Sequence, residues 1–175
     1  MSAHNCRQMR LSRDAMKNIP TSEELRARIR EVFRLVPRPE YANIVEHSCP
    51  ECDELREDLA QLGQYEVPND VLDYHRNDLS LFSPEALRYF LPAYLIYSIE
   101  KPDSDLTEYV IFFLCSYRFA TSEWKNRVRI FSESEKEMVC LYLHYLQSQT
   151  ASRGYMTYLR KGEETWCRVK QGPGG

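Results

Sequence analysis

Three residues of this chain, His47, Cys49 and Cys52, combine side-chain types and a spacing that could do chemistry. Pro50, directly after Cys49, is typical of a first helical position, because the N–H that proline lacks has no intrahelical partner there. We therefore expect Cys49 at the N-cap of a helix and Cys52 in its first turn. The partial positive charge of a helix N-terminus favours thiolate over thiol, so both cysteines are placed where a thiol loses its proton easily.

Three interpretations of this cluster remain open. In the first, His47, Cys49 and Cys52 supply three of the four tetrahedral ligands of a zinc ion, and His75, or failing that Cys167, supplies the fourth. In the second, the two cysteines are a redox pair of the kind that opens a helix in thiol oxidoreductases, although a helix is predicted here where those folds have a strand. In the third, they pack as small hydrophobic side chains. The remaining donors in the middle of the chain are assigned to helices whose apolar faces can absorb them: Cys115, Cys140 and His144.

Acidic residues dominate the segment that follows the cysteines. Residues 51–80 contain nine acids and two arginines. A surface of this charge, carried by Glu54, Glu57 and Asp58, suits a basic protein partner by electrostatic complementarity. No complete set of catalytic residues accompanies it. The sequence thus predicts a non-catalytic interaction module of the adaptor, regulator or toxin-neutralising type, with a zinc-binding or thiol-redox protein as the alternative.

Length and composition indicate one globular domain, since the chain has 175 residues of which 43% are hydrophobic. It shows neither a secretion signal nor the run of about 18 apolar residues that a membrane span needs. Six cysteines without an export signal are expected to stay reduced in a cytoplasm. The basic residues near both ends are sparse and match no nucleic-acid motif. We expect a cytoplasmic protein without a nucleic-acid or membrane partner, and the sequence does not indicate its oligomeric state.

The elements that position these residues are predicted around the apolar run from Leu79 to Tyr97. Ser83 is a suitable N-cap and Pro84 a suitable first helical residue, so a helix is expected to begin there. Pro92 lies in the middle of this helix, where it removes a backbone hydrogen bond and must bend or break the helix. The predicted fold is all-α, a single-domain bundle of five to seven helices around this proline-kinked helix.

Two capping boxes, Thr21 with Glu24 and Ser132 with Glu135, indicate where its main neighbours begin. A third apolar helix is expected after Asp105, with a strand as the alternative because its residues favour β-structure. The predicted organisation is a flexible arm at 1–20, a helical domain at 21–150 that includes a basic connector at 120–131, and a weakly ordered tail at 151–175. In that tail Gly162 is expected to break a weak helix, and residues 165–169 alternate like a short strand.

The run LSLFSPEALRYFLPAYLIYSI and the upstream segment HSCPECD, residues 47–53, resemble a family of small, mostly bacterial proteins that carries only a domain-of-unknown-function label. The resemblance spans about Glu24 to Gln147. It implies a helical single domain and assigns no catalytic residue to this chain.

Overall fold

The computed structural model describes residues 19–115, 122–149 and 153–167. Within these ranges the chain forms eight α-helices and no strand, so the all-α prediction is confirmed and the predicted number of five to seven helices is too low. The helices are α1 (Ser22–Phe33), α2 (Pro50–Leu59), α3 (Asn69–Tyr74), α4 (Pro84–Glu100), α5 (Asp105–Cys115), α6 (Ser122–Arg129), α7 (Glu133–Gln149) and α8 (Arg153–Trp166). None of them combines the length and the apolar character that crossing a membrane requires.

Helix α4 is buried on nearly all sides, because its sequence is apolar around the whole helix. Thirteen of its 17 residues are buried. Ser83 caps it by accepting a hydrogen bond from the Ala86 N–H at 3.0 Å, and Pro84 occupies the first helical position. The helix continues through Pro92, so it does not break into two helices there. A kink at that proline stays a prediction.

Helices α1 and α5 pack directly against α4, and α7 packs against α1. Side chains also connect α7 to α4. Arg88 donates two hydrogen bonds to the buried carboxylate of Glu135, at 2.8 and 2.9 Å. The hydroxyls of Ser98 and Tyr142 lie 2.6 Å apart in the core. Helix α1, the first predicted neighbour of α4, is therefore confirmed. Helix α7, the second, contacts α4 through these side chains, and α5 is an additional neighbour.

Both predicted capping boxes are present. The Glu24 N–H donates to the Thr21 hydroxyl at 3.3 Å, and the Thr21 N–H donates back to the Glu24 carboxylate at 2.8 Å. Ser132 and Glu135 exchange the same pair of bonds at 3.3 and 2.8 Å. Because each box satisfies two N–H groups that lack intrahelical partners, α1 and α7 begin where the sequence predicts.

The structure differs from the prediction in the C-terminal third. Part of the predicted basic connector is helix α6, which buries Trp124 and Val128 against the core. Helix α8 runs through Gly162 and includes residues 165 and 166, so the predicted helix break and strand are both wrong. Helix α8 packs against α5 and α7. The predicted arm at 1–20 lies outside the described residues up to residue 18, as do residues 168–175.

Glycine at position 162 is explained by the close approach of α8 to α5. A Cβ added there would lie 2.6 Å from the Cys115 sulfur and 3.0 Å from Cδ1 of Leu143. No side chain fits at these distances without a shift of its neighbours. Helix α8 therefore tolerates the low helix propensity of glycine in exchange for close packing.

Candidate metal and thiol sites

The predicted cysteine cluster begins helix α2 as expected. Cys49 is the N-cap, Pro50 follows in the first turn, and the Cys49 sulfur accepts a hydrogen bond from the Cys52 N–H at 3.2 Å. Cys49 is half-buried, whereas Cys52 is completely buried. The two sulfurs are bonded as a disulfide.

Cys140 and Cys167 form a second disulfide, and Cys115 is the free cysteine of the described residues. The expectation that the cysteines are reduced therefore does not hold for these two pairs, whereas it holds for Cys115. The physical reason is that the fold brings each pair of Cα atoms to 5.0 and 5.1 Å, inside the range that a disulfide can bridge.

The structure does not bring the four predicted zinc ligands together. His47 is exposed, and its carbonyl accepts a hydrogen bond from Arg56 at 3.4 Å. His75 is only 1% exposed, and both of its ring nitrogens are used by aspartates. In the described residues, one group of three ligand atoms could hold a metal ion, and it contains neither His47 nor His75.

His75 bridges two carboxylates. Its Nε2 lies 2.9 Å from Oδ2 of Asp58, and its Nδ1 lies 2.9 Å from Oδ2 of Asp78. Because an ionised carboxylate only accepts hydrogen bonds, the imidazolium form of His75, with a proton on each ring nitrogen, satisfies both contacts. Burial lowers the pKa of His75, but the hydrogen bonds and charges of Asp78 and Asp58 together raise it above its ordinary value. This cation connects α2, the end of α3 and the 3-10 turn Asp78–Ser80.

Two of the three predicted partner-binding acids also make contacts within the chain. Asp58 pairs with His75, and Glu54 accepts a hydrogen bond from the Tyr74 hydroxyl at 2.8 Å. Glu57 is exposed on the same helix. All three still face solvent, so α2 presents an acidic surface, but Glu54 and Asp58 also contribute to the packing of α3 against α2.

A second cluster lies where the last two helices meet. Cys140 and His144 are four residues apart on α7 and therefore share one face of that helix, while Cys167 directly follows α8. His144 Nε2 lies 3.9 Å from the sulfur of Cys140 and 3.9 Å from that of Cys167. All three ligand atoms lie within 4.8 Å of one another, and all three side chains are half-buried.

Glu163 contacts the histidine of this cluster, although its carboxylate lies outside the group of three ligand atoms. Its Oε1 lies 3.1 Å from Nε2 of His144 and accepts a hydrogen bond from Gln147 at 2.7 Å. Burial raises the pKa of Glu163, but the hydrogen bonds from His144 and Gln147 outweigh burial and hold the pKa below its ordinary value. The site thus offers two sulfurs, an imidazole nitrogen and a carboxylate, which are the ligand types that zinc prefers.

Sequence reasoning missed this second cluster, although part of its signal was readable. The spacing Cys140-x-x-x-His144 puts two ligands on one helix face, and Glu163-x-x-x-Cys167 repeats that spacing. The sequence places the first pair on an apolar helix face. It hides the second pair, because Gly162 predicts the end of the helix that in fact carries Glu163.

Comparison with known proteins gives a family and no activity. A family model described as "Family of unknown function (DUF6714)" matches residues 21–170. The match therefore covers all eight helices and both cysteine clusters. No curated protein and no solved structure matches the chain.

Proposed function

This chain belongs to the DUF6714 family of unknown function, and from that premise we propose that it is a metal-binding protein whose Cys140, His144 and Cys167 bind a zinc ion when the cysteines are reduced. The observation that carries the proposal is the convergence of three ligand atoms within 4.8 Å, two from helix α7 and one from the residue that follows helix α8. The zinc alternative from the sequence is thus kept, but at different residues.

The distances require little rearrangement around the histidine. Zinc–sulfur bonds of about 2.3 Å and zinc–nitrogen bonds of about 2.0–2.1 Å place tetrahedral sulfur and nitrogen ligands about 3.6 Å apart. The two sulfur–nitrogen distances here are 3.9 Å each. Reduction of the disulfide lets the two sulfurs separate to about 3.8 Å, the distance that the same zinc geometry demands.

Glu163 is the proposed fourth ligand, because its carboxylate oxygen lies 3.1 Å from the same nitrogen of His144. Zinc would replace the proton in this hydrogen bond, and the carboxylate would have to move towards the two sulfurs, since it lies outside the group of three ligand atoms. A fourth ligand from the chain closes the coordination shell, and closed shells are typical of structural zinc sites. The ion would then connect α7 to the end of α8, as the disulfide does in the oxidised protein. We infer a structural or regulatory role for the metal.

The test is zinc binding by the full chain after reduction and removal of metal. We expect one zinc ion per chain, measured by competition with a chromophoric chelator, and tetrahedral thiolate absorption bands when cobalt replaces zinc. Cys140→Ser/Cys167→Ser should abolish both signals. The matched control is Cys49→Ser/Cys52→Ser, which should bind zinc like the wild type. If the control loses the metal and the first variant retains it, the ion belongs to the α2 cluster and the proposal is wrong.

A second candidate function is binding of a basic protein partner by the acidic surface of α2. Its support is the exposure of Glu54, Glu57 and Asp58 on one short helix. Reversal of Glu54 or Asp58 would also disturb the contacts to α3, so the cleaner variant is Glu51→Lys/Glu57→Lys.

This variant should lose salt-sensitive partners that wild-type protein retains from a host extract at low ionic strength. Glu23→Lys, an exposed change on α1, is the matched control and should retain them. Identical sets of bound proteins for all three chains would remove this surface from consideration.

A further inference from the structure

We propose that Cys49 and Cys52 form a thiol–disulfide exchange site for disulfides that carry positive charge. This activity is separate from the zinc site, because its residues begin α2 and the zinc ligands lie on α7 and α8. Three features support it: the two sulfurs are already paired, they differ in access, and exposed acids lie close in sequence to the accessible one.

Access assigns the two cysteines different roles. Cys49 stands at the N-cap and is half-buried, so an incoming disulfide can reach its sulfur. Cys52 is 0% exposed and lies against the core with Leu55. A substrate disulfide cannot reach the Cys52 sulfur, but the neighbouring Cys49 sulfur is within reach of Cys52. Cys49 is therefore the attacking residue, and Cys52 resolves the mixed disulfide from inside.

The position of Cys49 also favours its thiolate. Its sulfur accepts the Cys52 N–H at 3.2 Å and lies at the positive end of a ten-residue helix. The carboxylates of Glu51 and Asp53 in the first turn act against this effect. Arg56 offsets part of it, because its guanidinium pairs with Asp53 at 2.6 Å and reaches the His47 carbonyl beside Cys49.

The exchange proceeds in two balanced steps. The Cys49 thiolate attacks one sulfur of the substrate disulfide, a Cys49–substrate sulfur bond forms, and the other half of the substrate leaves as a thiolate that takes up a proton. The Cys52 thiol loses its proton, its thiolate attacks the Cys49 sulfur, and the second half leaves as a thiol. Two electrons pass from the cysteine pair to the substrate, and the protein ends in the disulfide form that the structure shows. A low-molecular-mass thiol reverses both steps and restores the dithiol.

Charge around Cys49 selects the substrate. Residues 46–58 contain six acids, and Arg56 is the single lysine or arginine among them. All six acids are exposed. Glu46 pairs with Arg127 and Asp53 pairs with Arg56, so most of the negative charge comes from the other acids, including Glu51, Glu54 and Glu57. Their field attracts a cationic disulfide and repels an anionic one, and salt screens both effects. The acidic surface would thus bind the same cationic disulfide with which the cysteine pair reacts.

The first test uses the reduced wild-type chain and needs no substitution. Limited alkylation with neutral iodoacetamide, followed by peptide mass spectrometry, should label Cys49 at least about ten times faster than Cys52, because only Cys49 is accessible. Equal rates at the two cysteines, or faster labelling of Cys52, overturn the assignment of roles.

The second test traps the intermediate. Reduced Cys52→Ala should accumulate a mixed disulfide at Cys49 with cystamine, whereas Cys49→Ala should form none at Cys52. Circular dichroism establishes that both variants fold. Absence of the Cys49 adduct in folded Cys52→Ala overturns the exchange activity.

The third test addresses substrate charge with small disulfides of similar size. At low salt the wild type should react about tenfold or more faster with cationic cystamine than with anionic dithiodipropionate, with neutral hydroxyethyl disulfide between them. The difference should shrink as salt rises. Equal rates for the three disulfides at low salt overturn the assignment of a cationic substrate.

Discussion

His75 shows how a single proton can hold three elements together. Its imidazolium is buried between Asp58 and Asp78, so the folded state binds this proton more tightly than the unfolded state does. A raised pKa in the folded state means that the stabilisation is complete below the ordinary histidine pKa of about 6.5 and is lost as pH rises through the folded pKa.

We therefore predict that the free energy of unfolding falls as pH rises above about 6.5. His75→Gln should lower stability by about 1.5–3 kcal/mol at pH 6, because it removes hydrogen bonds to charged groups, and its pH dependence in this window should be flatter. Urea unfolding between pH 5.5 and 9 measures both effects. His47→Gln, at an exposed histidine, is the control and should follow the wild type. Parallel curves for wild type and His75→Gln would contradict the role of this proton.

Gly162 is the second residue with a measurable effect. Gly162→Ala gains about 1 kcal/mol of helix propensity, but the new methyl group would lie 2.6 Å from the Cys115 sulfur. Overpacking typically costs about 1–3 kcal/mol, so we predict a net loss of stability. In a Cys115→Ala background the sulfur is gone and the tight contact with Cδ1 of Leu143 at 3.0 Å remains, so the same change should cost less than it does in the wild type. Thermal unfolding of the four proteins measures this coupling, and additive effects would contradict the close approach.

At the scale of elements, α4 is where the largest packing losses are expected. Phe90 and Leu91 are buried at 1% and 0% exposure. Leu91→Ala should cost about 2–5 kcal/mol and Phe90→Ala about 3–5 kcal/mol, because each leaves a cavity. Leu35→Ala, at a side chain that is 80% exposed, should change stability by less than about 0.5 kcal/mol. Denaturant unfolding of the three variants measures the contrast, and similar small losses in all would place the core elsewhere.

Helix starts were predictable because their signals are local. Thr21 with Glu24, Ser132 with Glu135, and Ser83 all bond to backbone groups within three residues. Residue types at a fixed spacing are sufficient for such contacts. Cys49 at the N-cap of α2 belongs to the same class.

Elements stabilised by distant partners were not predictable. Helix α6 is polar on average, and it persists because Trp124 and Val128 pack into a core built from other helices. Gly162 resembles a helix breaker until α5 is seen to approach it. The zinc interpretation fails for His75 because, besides the nearby Asp78, it pairs with Asp58, which lies 17 residues away on another helix. These contacts are tertiary, and the local pattern does not encode them.

At the scale of the whole molecule, the two disulfides restrain very different lengths of chain. Cys49 and Cys52 are three residues apart, whereas Cys140 and Cys167 are 27 residues apart and join α7 to the end of α8. Because a disulfide acts largely by reducing the entropy of the unfolded chain, the longer loop should contribute about 3–4 kcal/mol.

We predict that Cys140→Ser/Cys167→Ser lowers the free energy of unfolding of the oxidised protein by about 3–4 kcal/mol. Cys49→Ala/Cys52→Ala, the matched pair, should lower it by less. Zinc added to the reduced wild type should recover part of the loss, because a ligand that binds only the folded state stabilises it. Urea unfolding under non-reducing conditions measures the stabilisation by each disulfide, and unfolding under reducing conditions with and without zinc measures the stabilisation by the metal. Equal losses for the two pairs would show that the second disulfide does not restrain α8.

The aromatic cluster between α6 and α8 has a spectroscopic consequence. The chain contains two tryptophans, and their rings meet edge to face with centroids 6.0 Å apart. Phe131 packs on Trp166 at 5.3 Å, and the Trp166 indole N–H donates to the Leu114 carbonyl at 3.1 Å. Two indoles at this separation couple their strong far-ultraviolet transitions, and we expect a paired dichroism band in that region. Intrinsic fluorescence of this protein is therefore a reporter of how the C-terminal helices dock, and the first four helices contribute no tryptophan to it.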